Sequence, residues 1–214
     1  MSKAVFIVFE GIDGSGTTTQ SSRLAQYIRD LGHPLVYTRE PGGTPLAERI
    51  RELVLDPHVE EMDFRTELLL YAASRAQHVS ELIGPALKAG TPVICDRFTD
   101  STLAYQGYGR CLDLALIDQV NAVATGGLEP DLTIYLDLSI EEARRRRALR
   151  ARRPDRLEKA GDGLQAKVRQ AYLDLAARRP DSSLVLDAGQ DQDTLAEAIG
   201  KALHLRWGKF PYSH

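Results

Sequence analysis

Residues 11–18 read GIDGSGTT. Gly11 and Gly16 enclose four residues, and Thr18 follows where a hydroxyl could meet a metal ion. This is the spacing of a glycine loop whose backbone N–H groups wrap a polyphosphate, with a helix N-terminus adding favourable partial charge. On that reading Gly11, Ile12, Asp13, Gly14, Ser15, Gly16, Thr17, Thr18 and Thr19 form the phosphate cradle, and Thr18 serves magnesium. The slot between the second glycine and the hydroxyl ordinarily carries a lysine; here it is Thr17. A plain strand-to-helix turn is the competing reading. Three glycines, Gly11, Gly14 and Gly16, between a buried strand and a helix argue against it.

The absent cation has to come from elsewhere. Lys3 lies seven residues before Glu10 on an extended chain, roughly 23 Å away. Arg23 leaves the helix beyond the loop. Residues 144–156, RRRRALRARRPDR, hold eight arginines against one aspartate, a local +7 in a chain of net charge −3, so the remainder carries −10. Long basic runs are usually solvated helix faces, but these arginines repel one another unless an anion is near. A flap over 144–160 that closes on a triphosphate would supply bidentate donors at the transferring group. The segment has no interleaved aromatics and sits in an acidic chain, so nucleic-acid binding is not expected.

Other polar residues fall at expected strand ends. Asp96 and Arg97 follow an apolar strand, a carboxylate for magnesium beside an anion ligand. Tyr71 and Arg75, four apart, share one helical face and suit an aromatic platform and a donor for a base. Gln106 offers both a donor and an acceptor, which suits a pyrimidine edge.

The elements that must position these residues are legible from periodicity. Apolar runs at 4–9, 35–38, 92–95, 132–138 and 184–186 read as strands. Helical spacing marks 24–31, 46–54, 65–88, 113–124, 140–151, 163–177 and 194–204, with Gly32 and Gly90 as stops. Alternating strands and helices imply α/β architecture: three layers, α/β/α, around a five-stranded parallel sheet. Ligands in such sheets bind beyond the carboxyl ends of the strands. Residues 1–214 read as one domain without repeats or low-complexity linkers. No apolar run is long enough for a membrane span, and the N-terminus lacks a signal-peptide pattern. Cys95 and Cys111 form no disulfide or metal framework, so both are expected as packing residues in a reduced, cytoplasmic protein.

Taken together, GIDGSG, TREPGGT, LLYAASRAQHV, DRFTDSTLAYQGYGR, PDLTIYLDL and PDRLE resemble the bacterial thymidylate kinases, in order and at that family's spacings, from residue 5 to about 187. The resemblance implies a P-loop nucleoside triphosphate hydrolase-like fold, usually homodimeric, and transfer of the γ-phosphoryl of ATP to dTMP with Mg²⁺, a step toward dTTP. It implies that Asp13 approaches the deoxyribose 3′-hydroxyl and that Arg97 and Arg51 hold the dTMP phosphate. Tyr71 would stack on thymine, Arg75 face O4, and Gln106 face the N3 edge. Tyr105 would crowd the 2′ position, Arg146 lie against adenine, and Thr18 and Asp96 serve magnesium directly or through water. The family places its catalytic arginine either beside the loop acid or in the lid. Here the loop position is Gly14, so Arg150 and Arg153 are expected at the phosphates. The departure is Thr17, where the family has lysine. A nucleotide-binding protein of the same fold without turnover, and a kinase for another nucleoside monophosphate, are the other readings open at this point.

Overall fold

The structure is a computed structural model that describes residues 4–59, 61–149, 156–157 and 161–208. Its centre is a five-stranded sheet in the order β2-β3-β1-β4-β5. The strands are β1 (Phe6–Gly11), β2 (Val36–Arg39), β3 (Val93–Asp96), β4 (Leu132–Asp137) and β5 (Ser183–Asp187). Every pairing is parallel, with Phe9 opposite both Asp96 and Ile134. The central strand β1 is buried along its whole length, which is why its sequence is a continuous apolar run rather than an alternating one. Its residues alternate between two cores. Ile7 and Phe9 join Leu24, Ala25 and Ile28 of α1 (Thr17–Asp30) and Leu195, Ile199 and Leu203 of α9 (Gln192–Trp207). Phe6 and Val8 join Ile83, Val93, Cys95 and Phe98 in the smaller core.

The remaining helices are α2 (Pro45–Leu55), α3 (Phe64–His78), α4 (Gly84–Lys88), α5 (Thr99–Thr102), α6 (Leu114–Thr125), α7 (Ile140–Ala148) and α8 (Asp162–Arg178). α3 runs into α4 through a wide π-helical turn at Val79–Ile83, so the expected helix over 65–88 is present with an altered pitch inside it. α5 continues the same way into a π-helical segment, Leu103–Gly109. That helix after β3 is an element the periodicity does not reveal. Asp63, Asp113, Ser139 and Asp191 cap α3, α6, α7 and α9 with their side chains.

One expectation fails. Cys95 is a packing residue, buried in the smaller core, but Cys111 is exposed, on a turn with φ of 61°. The turn places a left-handed residue between the π-helical segment and α6, and Cys111 belongs to neither core.

Candidate active site

β1 delivers the chain to a tight turn at its carboxyl end, where Ser15 N–H donates to the Ile12 carbonyl at 3.0 Å. Gly16 caps α1 with φ of 95°, in the left-handed region that favours glycine. Gly14, at φ 102°, packs against α7: a Cβ there would stand 2.9 Å from the Ala143 carbonyl oxygen. The first-turn N–H groups of α1 have no intrahelical acceptors, and Gly14, Gly16, Thr17, Thr18 and Thr19 all line a cleft of about 530 Å³. Thr17 lies at the start of α1, buried, in the position ordinarily held by lysine.

β3 brings Asp96 alongside. The Thr18 hydroxyl donates to Asp96 Oδ2, while Asp96 Oδ1 is buried without a hydrogen-bond partner. A hydroxyl and a carboxylate with a spare oxygen fit a hard divalent cation that keeps most of its water. Among the described residues no group of three or more His, Cys, Asp or Glu could hold a metal ion, so protein side chains alone would not encage one.

The next residue, Arg97, adopts φ of 74°, which turns its side chain across the mouth of the glycine loop. Its Nη2 donates to Asp13 Oδ1 at 2.8 Å. Its Nη1 reaches Tyr172 Oη at 3.3 Å and Ser101 Oγ at 3.4 Å. Gln165 grips Asp13 twice: its Nε2 donates to Asp13 Oδ2 at 3.0 Å and its Oε1 accepts from the Asp13 N–H at 3.2 Å. Behind Arg97 lies Glu10, wholly buried. It accepts from Ser101 Oγ at 2.6 Å, Phe98 N–H at 2.8 Å, Tyr172 Oη at 3.0 Å and Ser101 N–H at 3.1 Å. Burial, and then the Asp100 charge, push the Glu10 carboxyl up to about 7, against Arg97 and the hydrogen bonds that favour its anion. Glu10, Ser101, Gln165 and Tyr172 are residues that sequence reasoning missed. They come from β1, α5 and α8, and no short-range spacing links them.

The same cleft is also lined by Arg51, Tyr71, Arg75, Tyr105, Gln106 and Leu157. Arg75 is 2% exposed, and its N–H groups reach Glu40 Oε2 (2.8 Å), Asn121 Oδ1 (2.7 Å), Thr102 Oγ1 (3.0 Å) and the Phe98 carbonyl (2.8 Å). Gln106 donates to Glu67 Oε1 at 2.6 Å. The Arg51 guanidinium donates to the Pro41 carbonyl at 2.8 Å. The Tyr105 hydroxyl is buried beside Asp13 and Arg97 without a well-formed hydrogen bond, and burial followed by the Asp13 charge raises its pKa.

The arginine-rich segment is described as far as residue 149. Arg145 and Arg146 pair with Glu142, and Arg144 and Arg147 pair with Asp162. Within α7 the mutual repulsion is therefore relieved by two carboxylates of this chain, and no external anion is needed there. The pairing holds the Glu142 carboxyl down to about 2. Arg147 also donates to the Asp13 carbonyl at 2.8 Å, and Arg146 to the Ala188 carbonyl at 2.9 Å. Arg150 and Arg153 lie outside the described residues, as does Lys3. Arg23 pairs with Asp193, away from the loop.

A parallel 2-3-1-4-5 sheet, a glycine loop opening α1, and a Thr–Asp pair between the first turn of α1 and the end of β3 define a P-loop phosphotransferase. Residues 9–199 match the thymidylate kinase family, and the chain belongs to that family. It is 51% identical over 200 residues to a thymidylate kinase of Pelotomaculum thermopropionicum, covering 94% of this chain and 93% of that one. It is 50% identical over 206 residues to a thymidylate kinase of Deinococcus radiodurans, covering 96% and 99%. The crystal structure of thymidylate kinase from Ehrlichia chaffeensis superposes with a TM-score of 0.75 at 36% identity, covering 95% of this chain and 99% of that one. Among the described residues no helix is long and apolar enough to cross a membrane.

Proposed function

We propose that the protein transfers the γ-phosphoryl group of ATP to dTMP, yielding dTDP and ADP, in the cytoplasm and as a homodimer. The observation that carries this reading is one cleft lined by the glycine loop, Asp13, Thr18, Asp96 and Arg97 together with Tyr71, Arg75 and Gln106. Two nucleotides entering from opposite ends would bring their phosphates together at Arg97.

In this scheme the α1 N-terminus and the loop amides hold the ATP phosphates. Thr18 and Asp96 would hold Mg²⁺, which when bound neutralises charge on the transferring group. Arg97 and Arg51 orient the dTMP phosphate, and Gln165 and Arg97 fix the Asp13 carboxylate near the sugar. Tyr105 crowds the 2′ position of the deoxyribose, its hydroxyl buried beside Asp13. Arg146, beside Ala188, faces the side where adenine would lie. The scheme assigns the lid role to 144–160, with Arg150 and Arg153 as the phosphate donors that stand in for lysine. Phosphoryl transfer needs positioning and charge stabilisation rather than covalent protein chemistry, so Thr17 lowers rate rather than abolishing function.

The test is coupled ADP release from ATP, Mg²⁺ and dTMP, with Thr17→Lys alongside. The wild-type chain is expected to turn over measurably, and Thr17→Lys to gain no more than about 10²–10³ in rate, the worth of one transition-state donor. Binding of both nucleotides without turnover would instead mark a silent nucleotide-binding protein. A larger gain from an undetectable baseline would refute compensation by the lid.

A further inference from the structure

Glu67 stands on the first turn of α3 with no exposed surface, and the scheme above gives it no task. Its Oε1 accepts from Gln106 Nε2 at 2.6 Å. Its Oε2 lies 2.5 Å from Arg156 Nη2 and 3.6 Å from Arg110 Nη2. Neither arginine is a loose surface charge. Arg156 also donates from Nε to the Val54 carbonyl at 3.0 Å, and the Arg110 guanidinium lies over the Phe64 ring, 4.8 Å from its centroid. A buried carboxylate is tolerated only with partners of this kind.

With guanidinium groups on one oxygen, Glu67 can only accept at the other. A primary amide has one donating end and one accepting end. Facing Glu67 commits the NH₂ end of Gln106 and leaves its carbonyl as the group it can turn to the cleft it lines. Arg75 lines the same cleft and can only donate. A donor and an acceptor side by side match the O4 and N3–H of an imide base. Cytosine reverses both, presenting an amino group and an unprotonated ring nitrogen.

We propose that Glu67 is a specificity-determining positioning residue: by fixing which end of the Gln106 amide faces the cleft, it makes the pocket select an imide pyrimidine over an amino pyrimidine. Arg156 is the last residue of the arginine-rich segment, so the same ion pair ties this selection to the end of that segment. The inference rests on the reading that the base of dTMP lies against Tyr71, Arg75 and Gln106.

The probes are dTMP and 5-methyl-dCMP, which share phosphate, sugar and methyl group and differ only in the hydrogen-bonding edge. The wild-type protein is expected to favour dTMP by about a hundredfold or more in kcat/KM, since a site built around buried polar groups rejects the mismatched analogue. In Glu67→Gln the facing amide can donate or accept, so Gln106 is free to turn. The preference is expected to fall at least about tenfold through KM, with kcat for dTMP little changed. In Glu67→Gln/Gln106→Glu the carboxylate now on the π-helical segment accepts from the amide now on α3 and again offers an acceptor to the cleft, so the preference should return. Equal losses for both nucleotides in Glu67→Gln, or no return in the double variant, overturn the proposal. If circular dichroism shows Glu67→Gln unfolded, the double variant decides alone, because it keeps one carboxylate in the cluster that holds both arginines. A wild-type protein that does not prefer dTMP sinks the reading of the base pocket itself, before any variant is made.

Discussion

Glu10 shows how much a single carboxyl can matter when it is sealed behind an arginine that lines the cleft. Four donors hold it, yet burial and Asp100 keep its pKa near 7. A carboxyl whose folded pKa exceeds its unfolded value of about 4.5 contributes stability that is complete below that lower value and is lost as pH rises through 7. The swing is on the order of 3 kcal/mol. Glu10→Gln, which does not titrate, should remove it. Between pH 5 and pH 8 the wild-type melting temperature is expected to fall relative to the variant by roughly 6–12 °C. Calorimetric melts that stay parallel across that range would rule the argument out. Thr17 is a contrasting residue, because its departure is plain in the sequence while Glu10, one letter in an apolar strand, carries no local sign of its environment.

At the scale of elements, the glycine loop and α7 are one unit. Gly14 has a φ of 102°, and a Cβ there would stand 2.9 Å from the Ala143 carbonyl. Gly14→Ala therefore adds a disfavoured backbone and a clash with a helix backbone that cannot give way cheaply. We expect a loss of about 1–3 kcal/mol in chemical denaturation and weaker ATP binding by calorimetry, with dTMP binding retained. If ATP affinity is unchanged, the loop and α7 are not coupled as described. All five strands and the longer helices were legible from apolar spacing, because each buries an apolar face, and their ends fall within a few residues of those observed except for α1, which begins at Thr17, seven residues before the 24–31 pattern. The helix at 99–109 was not. Its sequence, TDSTLAYQGYG, lacks a 3.6-residue apolar stripe, although Ala104 and Tyr105 enter the main core and Gln106 hydrogen-bonds Glu67. The site divides the same way. Loop glycines, Thr18 and Asp96 announce themselves by spacing next to a strand. Gln165 meets Asp13 across 152 residues of chain, a distance over which periodicity says nothing. Cys111 misled because exposure is set by the left-handed turn it occupies, not by its apolar character.

At the scale of the whole molecule, α3 packs between α2 and α6, and these three helices leave Leu46, Leu53, Leu69, Leu116 and Val123 exposed. Leu69 is 59% and Val123 85% exposed, more than an isolated chain gains from showing. If this face joins two copies, sedimentation velocity should give twice the 23.7 kDa chain mass for the wild type. Leu69→Glu/Val123→Glu should run at the single mass with its circular dichroism intact, and a variant that still runs double would exclude this face. On the opposite side of α3, Arg75 carries a consequence for how the chain reaches its shape. Its acceptors belong to stretches far apart in the chain: Glu40 after β2, Phe98 and Thr102 after β3, and Asn121 on α6. A chain with any of these undocked would have to keep the guanidinium hydrated, and water would then occupy the part of the cleft that Arg75 lines. The guanidinium therefore sheds its water only once all of these stretches have docked, so this dry corner belongs to the assembled molecule and to no single segment of it.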